Sequence, residues 1–202
     1  MKKRRIGLLG GTFDPIHLGH LLTADFVLKA LDLEQIIFIP ANHPPHKTNL
    51  QVTPAQDRYI MTILATTHNP RFRVSDMEIK REGLSYTIDT IKEFVKEYGE
   101  QVEFYFILGA DAIADLEKWE KFEDLLKLCF FVAATRPGFM DKVLEAKKRF
   151  GNLGENKIIW LDTPELNISS TDIRERVKQN LPIKYIVPDV VENYIYKEGL
   201  YK

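Results

Sequence analysis

Residues 10–20 read Gly10-Gly11-Thr12-Phe13-Asp14-Pro15-Ile16-His17-Leu18-Gly19-His20. The stretch follows an apolar run at 6–9 and leads into 18–31, where Leu18, Leu22, Phe26 and Ala30 recur every four residues. A short β-like run, a glycine-rich turn and a helical stripe, in that order, describe a strand–loop–helix unit. Glycines in such a turn let the backbone approach a phosphate, and the free N–H groups at a helix start attract the anion. The loop is neither GxxxxGKS/T nor GxGxxG. His17 and His20 are three apart, so both point from one side of the first helical turn, and Gly19 between them leaves space for a ligand. The alternative for the same residues is a glycine-rich turn with one capping histidine.

Outward from this unit the alternation repeats. Strands are predicted at 36–39, 72–75, 102–108, 130–134 and 157–161. Helices are predicted at 86–98, 116–128, 141–150, 170–179 and 188–196, and one runs from Thr53 as N-cap to about Thr67, with Pro54 first and Gln56 closing a capping box. The pattern is α/β: a Rossmann-like, doubly wound, mostly parallel sheet with helices on both faces. Ligands of such a sheet sit at the carboxyl ends of its strands. The segments there, 10–20, 41–47, 109–111, 135–138 and 163–171, hold most of the Gly, His and hydroxyl clusters.

A length of 202 residues bounds the chain to a single domain, 1–202. The formal charge of −1 supplies no basic excess for a nucleic-acid polymer. Cys129 is the lone cysteine, which fits a reducing compartment. No run of about 18 apolar residues exists to span a membrane, so the cytoplasm is the expected location. A homo-oligomer stays open.

Further clusters carry polar chemistry. Ile168-Ser169-Ser170-Thr171-Asp172-Ile173-Arg174 sets hydroxyls at a helix start with a guanidinium one turn on; it reads as a phosphate cradle or as an N-cap with an exposed arginine. Pro44-Pro45-His46-Lys47 is a stiffened loop bearing a cation. Asp111 in Gly109-Ala110-Asp111 accepts from ribose hydroxyls, caps a helix, or does both. Arg58 and Asp25 read as charges on solvated helix faces. Four of the five histidines fall between His17 and His46, which raises zinc as a rival, but zinc gives no reason for the distant serine–arginine cluster.

The two strings GGTFDPIHLGH and ISSTDIR, about 150 residues apart, resemble the paired signatures of the HxGH nucleotidyltransferase superfamily. Over nearly the whole chain the likeness is greatest to its bacterial nicotinate mononucleotide adenylyltransferases. The resemblance implies transfer of the adenylyl group of ATP to nicotinate mononucleotide, with C-terminal helices from about 170 to 202 completing the ATP site. It implies His17, His20, Lys47 and Arg174 as catalytic. It implies ATP contacts at Gly10, Gly11, Thr12, Phe13, Gly109, Asp111, Arg136, Ile168, Ser169, Ser170 and Thr171. Asn42, Lys47, Thr87 and Trp119 would bind the mononucleotide, Trp119 by stacking on the pyridine ring. The alternatives are a helix cap for Thr87 and ordinary core for Trp119. Mg²⁺ would be bound mainly through the ATP phosphates, with no protein metal ligands. Pantetheine-phosphate adenylyltransferases and cytidylyltransferases share HxGH, but the matches at 44–47, 85–90 and Trp119 speak against them. A non-catalytic nucleotide sensor is the rival from another class, and it need not keep His17, His20, Lys47 and Arg174.

The implied nucleophile, a phosphate oxygen, is anionic at pH 7, so no general base is required. The need is in-line placement and cancellation of charge. Two unit charges ~4 Å apart repel by about 4 kcal/mol at an effective dielectric of ~20. Lys47, Arg174, the helix N-termini, both histidines and Mg²⁺ are expected to offset that repulsion.

Overall fold

The strands are β1 (Arg4–Gly11), β2 (Gln35–Pro40), β3 (Phe72–Val74), β4 (Val102–Gly109), β5 (Phe130–Thr135) and β6 (Ile158–Asp162). They form one sheet in the order β3-β2-β1-β4-β5-β6, with every neighbouring pair parallel. The computed structural model describes residues 3–43, 52–109, 112, 115–135, 140–164 and 166–202.

Strands buried on both faces must be apolar almost throughout, and Ile6–Leu9 and Phe104–Leu108 meet that demand. Alternation along each strand then sorts side chains to two layers. Ile6, Leu8, Phe104, Phe106 and Phe131 face helices α4 (Thr87–Tyr98), α5 (Phe122–Leu128) and α6 (Met140–Arg149), through Ile91, Leu125 and Val143 among others. Leu9, Ile36, Phe38, Ile107 and Val132 face α1 (Leu18–Ala30), α2 (Ala55–Thr66), α8 (Ser170–Lys178) and α9 (Asp189–Lys197). Short helices α3 (Met77–Lys80) and α7 (Gly151–Lys157), between α2 and α4 and between α6 and β6, have no strong sequence period and were not expected.

The chain runs outward from β1 to β3, then returns to the far side of β1 and runs outward again through β4 to β6. Connections therefore leave β1 and β4 in opposite directions. That divergence opens a crevice at the carboxyl ends of the central strands, where this class of sheet binds ligands.

Three local expectations are corrected. Helix α1 buries Ala24, Val27 and Leu28 rather than the stripe through Leu18, Leu22, Phe26 and Ala30. It is apolar on more than one side, so spacing alone does not choose its phase. Helix α2 is capped by Pro54, without the Thr53–Gln56 box, because the Thr53 backbone is taken by Asp14 and Arg58. The 116–128 segment divides into a 3₁₀ turn, Leu116–Lys118, and α5; Lys121 breaks it with a left-handed φ of 53°.

Phe38 is fully buried in β2, with its ring 5.1 Å from Phe72 and 6.0 Å from Phe13. Phe38→Ala is expected to lower unfolding free energy by about 3–5 kcal/mol in urea titrations.

Candidate active site

Gly10 and Gly11 end β1, and the space beside them is taken by the protein's own rings. A methyl group on Gly11 would lie 2.9 Å from the Phe13 ring, and one on Gly10 would lie 3.0 Å from Phe106. Phe13 holds a φ of 49°, which costs a non-glycine residue about 1–3 kcal/mol. Its ring is only 2% exposed and meets His20 edge-on at 5.1 Å. The Phe13 side chain thus supports His20 from below instead of facing an open site. The Asp14–Pro15 peptide is cis.

His17 is the N-cap of α1, and its ring stacks on His20 with centroids 3.7 Å apart. The His17 backbone N–H donates to Nδ1 of His20 at 3.2 Å, so the proton of a neutral His20 resides on Nε2. His17 is 6% exposed, and burial lowers its pKa to about 4. It is therefore neutral at pH 7, which corrects the expectation that it brings positive charge. Its Nδ1 is buried without a hydrogen-bond partner among the described residues. A methyl group at Gly19 would approach that nitrogen to 3.0 Å. Gly19 accommodates the His17 ring, not a ligand.

The start of α8 docks on this loop. Ser170 Oγ donates to the Pro15 carbonyl at 2.9 Å, and Arg174 Nη1 donates to the Asp14 carbonyl at 2.7 Å. These contacts join residues 155 and 160 positions apart. Ser169 caps α8 by accepting from Asp172 N, and Thr171 Oγ1 accepts from Arg174 Nη2. The serine and threonine hydroxyls named in the sequence thus build the helix start. The N–H groups of its first turn, which no intrahelical carbonyl can reach, are what it offers an anion. Ile168 is half-buried just before the cap.

Asp14 lies at the centre, 3% exposed. Its carboxylate accepts from Tyr201 Oη at 2.8 Å and from Thr53 N at 3.3 Å, with Arg174 Nη1 4.0 Å away. Burial, and after it the Asp14 charge, pushes the Tyr201 phenol well above its ordinary range, so it remains a donor.

Arg58 overturns its reading as a solvated charge. It is 1% exposed, and its guanidinium donates to three backbone carbonyls: Thr53 at 2.8 Å, Thr12 at 2.6 Å and Asn42 at 3.1 Å. The signal was present, since Arg58 shares the 58, 61, 62, 65 register of α2 with buried Met61, Thr62 and Ala65. Asp25 fits the solvated reading, paired with Lys29 at the surface. Tyr201 carries no linear signal.

On the other side of the crevice, Asn42 Nδ2 donates to the carbonyls of Ile79 and Arg81, and Ser85 Oγ accepts from Asn42 N at 3.2 Å. Thr87 is the first residue of α4 and half-buried; the cap is Tyr86. Below them Glu78, whose pKa burial raises, accepts from Thr90 Oγ1 at 2.7 Å. Trp119 is half-buried and meets Phe106 edge-on at 5.9 Å. Gly109 is exposed at the end of β4, and among the described residues nothing lies within 4 Å of where a methyl group on it would sit. Thr12 is half-buried. Lys47 with residues 44–46, Asp111 and Arg136 lie outside the described residues.

The chain matches the Cytidylyltransferase-like family over residues 8–176. It is 53% identical over its whole length to a probable nicotinate-nucleotide adenylyltransferase of Thermoanaerobacter sp. (strain X514), covering 96% of that protein. A protein of the same description from Moorella thermoacetica is 51% identical over 98% of this chain and 92% of its own. Among solved structures, Plasmodium falciparum nicotinic acid mononucleotide adenylyltransferase complexed with NaAD shares the fold. Its TM-score is 0.81 at 24% identity, over 98% of this chain and 97% of that one.

Burial of His17 has a consequence for stability. Its folded pKa of about 4 lies below the unfolded value near 6.5, so the unfolded chain binds the proton more readily. The contribution is complete above about pH 6.5 and is lost as pH falls from there to about 4, with a slope of at most ~1.4 kcal/mol per pH unit. Urea unfolding at a series of pH values should show this fall, and His17→Gln should flatten it.

Proposed function

The chain belongs to the cytidylyltransferase-like family, and from that premise we propose that it is a nicotinate-nucleotide adenylyltransferase of NAD biosynthesis. It transfers the adenylyl group of ATP to nicotinate mononucleotide and releases pyrophosphate. One observation carries the site: Ser170 and Arg174 are seated on the carbonyls of Pro15 and Asp14, three residues and fewer before His17. Two helix N-termini and two imidazoles are thereby gathered at the end of β1.

A phosphate oxygen of the mononucleotide forms a bond to the α-phosphorus of ATP. The bond from that phosphorus to the α–β bridging oxygen breaks, and its electron pair leaves on pyrophosphate. No proton has to be removed from the nucleophile. The protein's task is to align the reacting groups and to place donors where charge accumulates.

His20 offers Nε2–H, and neutral His17 offers one N–H of its own. Arg174 and the first turn of α8 supply positive potential on the triphosphate side, with Gly10, Gly11, Thr12, the Phe13 backbone, Gly109, Asp111, Arg136 and Ile168 around the nucleotide. Lys47, Asn42, Thr87 and Trp119 serve the mononucleotide. Mg²⁺ would arrive on phosphate oxygens and water, as this hard cation usually does with nucleoside triphosphates. When bound it neutralises charge on the leaving pyrophosphate. The helices from about 170 to 202 complete the ATP site, and a cytoplasmic location goes with this reading.

Pyrophosphate release with ATP and nicotinate mononucleotide is the test. Turnover with that pair is expected; release only with phosphopantetheine, or with neither acceptor, would refute the assignment. His20→Ala and His17→Ala should each lower kcat about 10²–10³-fold with little change in ATP affinity.

A further inference from the structure

The turn after β2 and the start of α4 are tied together at Ser85. Its backbone N–H donates to the His43 carbonyl at 3.0 Å. Its Oγ accepts from the backbone N–H groups of Asn42 and His43 at 3.2 and 3.4 Å. Ser85 is 8% exposed and lies two residues before Thr87, the first residue of α4. Both acceptor positions of the hydroxyl are thus filled, and its proton needs an acceptor of its own. The Glu78 carboxylate, on the short helix α3, is hydrogen-bonded to it.

A second hydroxyl reaches the same carboxylate. Thr90 Oγ1, one turn into α4 and fully buried, accepts from Arg81 Nη1 at 2.9 Å and donates to Glu78 Oε1 at 2.7 Å. Glu78 is 7% exposed, and Arg81 is the positive charge that offsets it. Asn42 Nδ2 spends its two hydrogens on the carbonyls of Ile79 and Arg81, one and three residues past Glu78. Thr87 stands between Ser85 and Thr90 in the chain. Asn42 and Thr87, on two different segments, are therefore held by way of one buried acid. What a carboxylate adds over an apolar side chain is two acceptor oxygens that fix the direction of both hydroxyls.

We propose that Glu78 is a positioning residue for the mononucleotide, holding Asn42 and Thr87 in register through Ser85 and Thr90. The inference rests on the adenylyltransferase reading, which assigns Asn42 and Thr87 to that substrate. Glu78 acts through the two hydroxyls it orders, and its effect is confined to one of the two substrates.

Initial rates of pyrophosphate release by the full chain test this, with nicotinate mononucleotide and ATP varied in turn. Glu78→Leu leaves both hydroxyl protons without their acceptor. It should raise KM for the mononucleotide about tenfold, the effect of one charged hydrogen bond, with KM for ATP within about twofold. Glu78→Gln keeps one acceptor oxygen and should recover part of the loss. Ser85→Ala removes one of the two links and should raise the same KM alone. Because both changes act through one hydroxyl, the double variant Glu78→Leu with Ser85→Ala should fall short of the product of the single factors.

An unchanged mononucleotide KM in Glu78→Leu overturns the proposal. So does an equal rise in both KM values, the mark of general loosening, and so does a double variant that reaches the full product. If Glu78→Leu does not fold, Ser85→Ala decides on the same two constants. Release by the unaltered protein with any of these failures leaves the assigned activity standing and removes only the role of Glu78. No release by the unaltered protein removes both.

Discussion

A buried carboxylate organises this protein. Asp14 sits in the middle of the loop that leaves β1, nearly out of reach of water. An ion in such a place is tolerated only with charge and hydrogen bonds around it. Here they come from a phenol at position 201, a backbone amide at 53 and guanidinium groups at 174 and 58. The partners belong to α8, to the residues after α9 and to the start of α2. Satisfying one acid thus obliges three remote parts of the chain to meet at one strand end. Removing a partner from a buried ion of this kind costs about 3–5 kcal/mol, enough to keep the meeting obligatory.

The sheet makes the meeting possible. Its strand order sends successive connections away from β1 and β4 on opposite sides, the arrangement that opens a crevice at the carboxyl ends of those strands. Helices α1, α2, α8 and α9 share one face through Ile173, Val177, Val191 and Ile195 packed with Val27, Leu28 and Met61. Because α8 is held on that face by apolar contact, its N-terminus is delivered beside Pro15 without depending on the polar bonds alone. Hydrophobic packing sets the helix, and the Ser170 and Arg174 bonds set its register against the loop.

The fold was legible because it depends on periodicity. Each expected strand is present, and the central ones were plainest, since a strand covered on both faces has little room for polar residues. Phase in α1 was not legible: Leu21, Leu22, Phe26, Val27 and Leu28 present apolar surface over most of the helix, and tertiary packing chose among them. The two signature strings meet in the fold, through Ser170 on Pro15 and Arg174 on Asp14, but the work of individual side chains within them did not follow from residue type. Ser169 is a cap, Phe13 is a support and Gly19 makes way for an imidazole. Arg58 had a readable position on the buried stripe of α2, yet charge alone suggested a solvated face. Tyr201 was invisible, because a lone tyrosine near the end of a chain has no pattern to belong to.

A neutral His17 suits the proposed site better than a cation would. A positive charge on His17 would meet the cost of burial, which holds its pKa near 4. A fixed cation at that point would also attract the ground-state triphosphate strongly. Tight ground-state binding does not raise the rate of the chemical step. A neutral N–H donor, held in place by stacking on its neighbour, interacts weakly with a phosphate oxygen of modest charge and more strongly as charge moves onto the oxygens of the breaking bond. On the proposed assignment of His17 to the reacting phosphates, the burial that removes the histidine's proton is also what would direct its contribution toward the transition state.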